Sequence, residues 1–514
     1  MLPDASLRNP ASVCEIDLAG AVICRQSAAP GCHRFAIARP ARRLVDMSDT
    51  TFTVTNPATE KPICEVARAG PREVDEAVRR ASAAWPAWAG LSPQDRSRLL
   101  GALADLVETN AEDLARTETA NVGKPISDSR GEIAMVADTF RFYAGAVDKH
   151  HGTTIPVAGG VDLTIHEPLG VVAAIVPWNF PAAISSWKVA PALAAGNTVI
   201  LKPAELTPLT ALHLAELALE AGLPEGVLQV VTGQGSVVGT ALADHTGVAK
   251  VAFTGSTEVG RDVMRRAAGT VKRVTLELGG KSPNVVFADA DLETAAAAAP
   301  AAVFGNAGQD CCARSRILVE RSVLPVFIEH LTSAAASFRT GDPADPGTQM
   351  GPLVSAGQRE GVAGFLDPSP DGVEVAFTGA VPPGPGWWYP ATVVLPSDPA
   401  CRIASEEVFG PIASVIPFDT EADAIELANA TPYGLSGSVW TRDLARALRM
   451  VRAISSGNLS VNSNTSVRIS TPFGGMKQSG LGRELGMEAL ASYTDVKNVF
   501  LSTACGGRPE REPG

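Results

Sequence analysis

From residue 169 onward the chain alternates short, uninterrupted apolar runs with helical segments, and this constrains its fold more than any other feature. Leu169–Val176, Asn197–Leu201, Gly226–Thr232 and Lys250–Thr254 read as strands buried on both faces. Thr207, Pro208 and Gly222 frame a helix with a cap, a first-turn proline and a terminal glycine. Strands alternating with helices predict a parallel, doubly wound α/β sheet whose ligand sits at the strands' carboxyl ends. A second α/β region is expected from Lys281 to about residue 480. Upstream, Glu73–Ala87, Pro93–Leu114 and Glu132–Lys149 read as helices, with a stop at Asn121–Pro125. Trp387–Pro390 reads as an aromatic-anchored surface loop, and Tyr493–Leu501 as an edge strand.

A length of 514 residues is too much for one core. The formal net charge of -12 argues against a nucleic-acid surface. No run of 18 apolar residues marks a membrane span. The 8 cysteines form no Cys-x-x-Cys pair, which favours a reducing, cytoplasmic setting and no metal. His150-His151 reads as a solvated helix end. Residues 1–46 show no clear period and are expected to be a disordered extension, with Met47 as the natural start.

Five segments carry chemistry. In Phe304–Arg316, Cys311 follows a glycine turn that lets backbone N–H groups approach the sulfur, as acyl chemistry through a covalent intermediate requires. An isolated cysteine is more often a small core residue. In Pro177–Pro181, two prolines fix Asn179, an amide able to donate to a developing oxyanion or merely to turn the chain. In Leu276–Lys281, Glu277 lies between leucines, before two glycines. Apolar surroundings would raise its pKa toward that of a general base, and a paired surface carboxylate is the plainer alternative. Phe253–Gly260, with Gly255, Ser256 and Gly260, leaves a strand and opens a helix whose N-terminus suits a phosphate. Leu201–Glu205 places Lys202 and Glu205 where ribose hydroxyls could be held, the carboxylate favouring NAD over NADP.

In this order, together with Glu406–Pro411 and Pro472–Gly480, the segments resemble the aldehyde dehydrogenase superfamily over roughly residues 52–501. The resemblance implies NAD-dependent oxidation of a small-molecule aldehyde. It implies Cys311 as nucleophile, Asn179 as oxyanion amide, Glu277 as general base and Glu484 as a second, proton-relaying acid. It implies cofactor contacts from Trp178, Lys202, Glu205, Gly255, Ser256, Gly260, Leu278, Glu407 and Phe409. Phe180, Trp187, Asp310, Cys312 and Phe473 would line the substrate channel. The implied fold is two doubly wound parallel-sheet domains plus a small β oligomerisation arm. A cofactor domain would take 48–145 and 167–279, a catalytic domain 280–487, and the arm 146–166 and 488–504, leaving 505–514 as a flexible tail. A homodimer or homotetramer follows.

Two residues depart from the family pattern. Arg314 stands where a glycine is common and is expected to point away. Asp310, directly before the nucleophile, would favour a cationic aldehyde such as an aminoaldehyde or betaine aldehyde, or would turn to solvent. Three rivals remain: a coenzyme A-acylating enzyme, a non-enzymatic member of the fold, and a cysteine hydrolase. Glu277 argues against the first, the set Cys311, Glu277 and Asn179 against the second, and the lack of a partner histidine against the third.

Overall fold

The computed structural model describes residues 13–16, 22–25, 50–368, 370–465 and 467–503. Four helices lead into the sheets. Pro71–Ala89 opens with the Glu73 carboxylate accepting from the Gly70 N–H at 2.9 Å, and Pro93–Thr109 with the Ser92 hydroxyl accepting from the Asp95 N–H at 3.2 Å. The single helix expected over Pro93–Leu114 is two, because Asn110 leaves helical geometry and starts Ala111–Val122. Gly123 ends that helix at φ 87°, a conformation glycine adopts without steric cost. The fourth helix, Ile126–Ala146, begins directly after Pro125, a turn and a half earlier than expected.

Five parallel strands follow in one sheet, in the spatial order Arg273–Glu277, Lys250–Thr254, Val171–Ile175, Thr198–Lys202, Leu228–Val230, with Gly480–Leu481 antiparallel at the edge. Every residue of the three strands 171–175, 198–202 and 250–254 is buried, as their unbroken apolar runs demand. The strand order reverses between Val171–Ile175 and Lys250–Thr254, which opens a crevice at their carboxyl ends. One expectation here is corrected. The helix after Lys202 is Leu209–Glu220, and Pro208 is its N-cap residue rather than its first-turn residue. Thr207 does not cap it. Its hydroxyl donates to Trp178 O at 3.3 Å, and Asn121 Oδ1 accepts from the Leu209 N–H instead.

The second sheet has seven strands, ordered Val373–Thr378, Thr392–Pro396, Ile412–Phe418, Arg316–Glu320, Pro283–Val286, Ser436–Trp440, Asn458–Val461. All neighbours are parallel except the first pair. A small antiparallel sheet joins Thr154–Val157, Gly160–Pro168 and Thr494–Ser502, the last an edge strand as expected. Within the extension expected to be disordered, Val13–Ile16 and Val22–Arg25 pair as antiparallel strands; its other residues, and those after 503, lie outside the described residues. Among the described residues no helix is long and apolar enough to cross a membrane.

Candidate active site

The carboxyl ends of the first sheet face the amino ends of the second, and the candidate residues converge there. Asn179 lies four residues past the end of strand 171–175, Glu277 is the last residue of its strand, and Cys311 precedes the strand that starts at Arg316.

The cysteine loop is built differently from the glycine turn expected. Asn306 and Ala307 take left-handed backbone at φ 49° and 54°, and only then Gly308 at φ 71°. Two non-glycine residues in this region are strained and persist only where their surroundings over-determine them. Side-chain hydrogen bonds supply that constraint. Asn306 Nδ2 donates to Asn179 O at 2.9 Å, Gln309 Nε2 donates to Asn306 O at 3.0 Å, and Gln309 Oε1 accepts from the Val354 N–H at 2.9 Å. Gly308 must be glycine because a β-carbon there would lie 2.2 Å from the backbone of Gly410. Asn179 Nδ2 donates to Gln309 O at 2.9 Å, which aims this 3% exposed amide at the loop. No described residue accepts from the Cys311 N–H.

Asp310 does not turn to solvent. Its Oδ1 accepts from the Cys312 N–H at 2.8 Å. The carboxylate and both sulfurs lie within 4.8 Å of one another. The neighbouring Cys312 thiol, burial of the sulfur and the Asp310 and Glu407 charges together push the Cys311 thiol well up. Arg314 is 1% exposed, so it does not reach solvent either. Its Nε donates to Ser438 Oγ at 2.8 Å and its Nη1 to Cys312 O, tying the loop to strand Ser436–Trp440.

Glu277 is 3% exposed, and neither carboxylate oxygen has a hydrogen-bond partner. Burial, and then the Glu484 charge, raise its carboxyl well above the usual range. A side chain at Gly474 would begin 2.7 Å from Glu277 Oε1, so the segment beneath the carboxylate has to be bare backbone. Glu484 is 1% exposed and ion-paired with Lys188, with its Oε2 unpartnered. Sequence reading missed Lys188. The available signal was a single charge in the otherwise uncharged helix Pro181–Ala194. It also missed the buried cluster Lys124, Glu118 and Glu132. Glu132 Oε1 accepts from the Ala183 N–H at 2.9 Å, and the Lys124 ammonium sits 4.4 Å over the Phe180 ring, so the cluster anchors the chain just after Asn179.

The residues expected to hold a cofactor border the crevice. Trp178 and Phe409 meet edge to face at 5.2 Å. Ser256 caps helix Thr257–Ala268 by accepting from the Val259 N–H at 3.3 Å, so its hydroxyl is already engaged. Gly255 N–H donates to Glu277 O at 3.0 Å, and Leu278 packs where a Gly260 β-carbon would be. Lys202 is buried, which brings its ammonium down to about 8. Glu205 sits 3.5 Å from Arg68. Glu407 accepts from the Gly280 N–H at 2.9 Å and lies over Gly279, where a β-carbon would come 2.1 Å from its Oε2. Burial raises Glu407 to about 7. On the opposite side Trp187 and Phe473 pack at 5.3 Å, both buried.

Comparison with known proteins decides what this assembly is. The model of the Aldehyde dehydrogenase family matches residues 44–499. The chain belongs to the aldehyde dehydrogenase family. It is similar to the putative aldehyde dehydrogenase DhaS of Bacillus subtilis, 43% identical over 88% of this chain and 93% of the relative. It is also similar to a betaine aldehyde dehydrogenase of Cereibacter sphaeroides, 41% identical over 92% and 98%. The structure of PnpE from Pseudomonas sp. WBC-3, solved also in complex with nicotinamide adenine dinucleotide, superposes with a TM-score of 0.87 at 43% identity, covering 91% of this chain and 97% of PnpE in the complex. Membership accounts for the two facing parallel sheets.

Proposed function

We propose that this family member oxidises an aldehyde to the carboxylic acid, with NAD as hydride acceptor, through a thioester on Cys311. The observation that carries this reading is Glu277, a buried carboxylate with both oxygens unpartnered, on the strand end beside the cysteine loop. A carboxylate left without partners at such depth is costly unless it has a task, and its raised pKa suits a general base.

The residues present fit a dinucleotide. The Ser256 helix N-terminus suits its phosphates, Trp178 and Phe409 form a wall, and the Thr254 hydroxyl lies buried and unpartnered at the strand end beneath. Lys202 and Glu205 would hold the adenosine ribose and Glu407 the other ribose. When bound, NAD would supply the oxidising equivalent. The chain's own residues do the rest. The Cys311 sulfur bonds to the aldehyde carbon after giving up its proton to the Asp310 carboxylate, which lies within 4.8 Å of it. Asn179 Nδ2 and the Cys311 N–H donate to the oxygen that becomes negative. Glu277 then takes a proton from water, whose oxygen adds to the thioester carbon, and the carbon–sulfur bond breaks to return the thiolate. The Glu484–Lys188 pair offers that proton an onward route. Hydrolysis by Glu277 sets this reading against transfer to coenzyme A; product analysis with and without coenzyme A tests it, and acyl-coenzyme A as the main product would overturn it.

The substrate class we infer is a cationic aldehyde, because Asp310 brings a carboxylate to the channel beside the nucleophile. An aminoaldehyde should lose about tenfold in kcat/KM relative to hexanal in Asp310→Ala, the scale of one charged contact. An unchanged ratio would return the enzyme to general aliphatic and aromatic aldehydes.

The small antiparallel sheet exposes Ile165, Val496, Phe500 and Leu501 at 42%, 63%, 52% and 51%. By strand register Val496 and Phe500 share one face of this sheet and Ile165 and Leu501 the other, and exposed apolar residues of this kind suit a second copy of the chain in a homodimer or homotetramer. Val496→Asp should shift the protein toward monomer in light scattering at micromolar concentration; an unchanged mass would assign the contact elsewhere.

A further inference from the structure

A small, partly open cavity of about 10 Å³ is lined by Lys281, Ser282, Arg316, Tyr433, Gly434 and Ser456, among others. That volume admits one water or one monoatomic ion and excludes oxyanions. Lys281 and Arg316 are each 2% exposed. Lys124 and Lys188 are buried too, but they are paired with Glu132 and Glu484. Neither Lys281 nor Arg316 enters an ion pair among the described residues. Lys281 donates to Ile403 O at 2.8 Å, and Arg316 to Leu427 O and Ala428 O. Arg316 Nε, Ser282 Oγ and Ser456 Oγ are buried with no partner. Lys477, bonded to Thr431 O at 2.8 Å, adds positive charge near Arg316. The charges of Glu407 and Glu406 act on Lys281, but neither carboxylate pairs with it, and Glu407 accepts from the Gly280 N–H.

We propose that this cavity binds one small monovalent anion of the chloride class, held by Lys281, Arg316, Ser282 and Ser456. Its charged lining is all positive and its hydroxyls can donate, among the apolar side chains of Pro283, Ala428, Leu435 and Ile454. A water could satisfy the hydroxyls but would leave two buried cations without an ion-pair partner in the cavity, which is the expensive arrangement. Burial, then the Arg316 charge, already brings the Lys281 ammonium down to about 7, a sign of that cost. A halide would accept from Arg316 Nε, the Lys281 ammonium and the unpartnered hydroxyls of Ser282 and Ser456. It would also tie together two working segments, since Lys281 follows the Glu277 loop and Arg316 ends the Cys311 loop.

The test begins with the whole protein exchanged into sodium gluconate. Chloride is then titrated at constant ionic strength while the thermal midpoint is followed, and crystals grown in sodium bromide are measured for anomalous scattering. The midpoint should climb by about 2 °C or more and level off, and a bromide peak should lie between Lys281 and Arg316. The double variant Ser282→Ala, Ser456→Ala should raise the chloride concentration for half effect about tenfold, the loss of two charge-assisted hydrogen bonds being partly offset by relaxation. Equal midpoints in both salts, or a cavity without a bromide peak, would overturn the proposal and leave a water site. The bromide measurement needs no variant, so poor folding of the double mutant cannot shield the idea.

Discussion

Cys311→Ala should lower kcat/KM for aldehyde oxidation about 10⁴-fold or more, while Cys312→Ala should stay within about tenfold of the unmodified protein. The two cysteines are neighbours in sequence with sulfurs within 4.8 Å of each other, so only position separates them. Cys312 is 8% exposed, and its backbone is fixed by Asp310 and Arg314 on either side. Cys311 is more open, and its own N–H remains available for an oxyanion. The measurement is NADH absorbance under steady-state turnover. Should Cys312→Ala be the dead variant and Cys311→Ala the live one, the nucleophile has been placed one residue too early.

Glu277→Gln should cut steady-state turnover by about 10²–10⁴-fold while leaving a rapid burst of about one NADH per site. The amide keeps the shape of the side chain and cannot take a proton from water, so the thioester forms and then persists. The pH profile follows the same logic. The Glu277 carboxyl is raised well above its ordinary range, so it is protonated and inactive at low pH, and turnover rises as pH passes through that raised value. In Glu277→Gln this limb of the profile should disappear. Stopped-flow absorbance decides it: a variant with no burst would mean that Glu277 acts before the carbon–sulfur bond forms.

The order of chemical segments was legible because four of the five follow the end of a strand with a strong local signal, and the cysteine segment leads into one. Lys250–Thr254 coincides residue for residue with the strand expected there, since a strand buried on both faces writes an unbroken apolar run. Helix junctions were less legible. Nothing apolar changes across Pro93–Leu114, and only the geometry of Asn110 divides it. Asn306 and Ala307 carry no sequence mark of left-handed backbone; the hydrogen bonds that enforce it come from Asn179 and Val354, far away in the chain. Lys188 and Arg314 read as solvent-facing by type. Both are buried, because their partners Glu484 and Ser438 arrive from remote segments. Such pairings are properties of the fold and not of any window of residues.

The missing β-carbon of Gly308 has a wider reach than its own loop. With Gly410 backbone 2.2 Å from where that carbon would stand, the segment that carries the nucleophile and the segment that carries Glu407 and Phe409 share one seam. Gln358 Nε2 holds Phe409 O at 2.8 Å on the far side of it. Neither segment can drift without dragging the other, so the spacing between sulfur and crevice wall is inherited as a unit. A side chain beside this seam, such as Asp310, can be exchanged without a change in the shape of the seam itself.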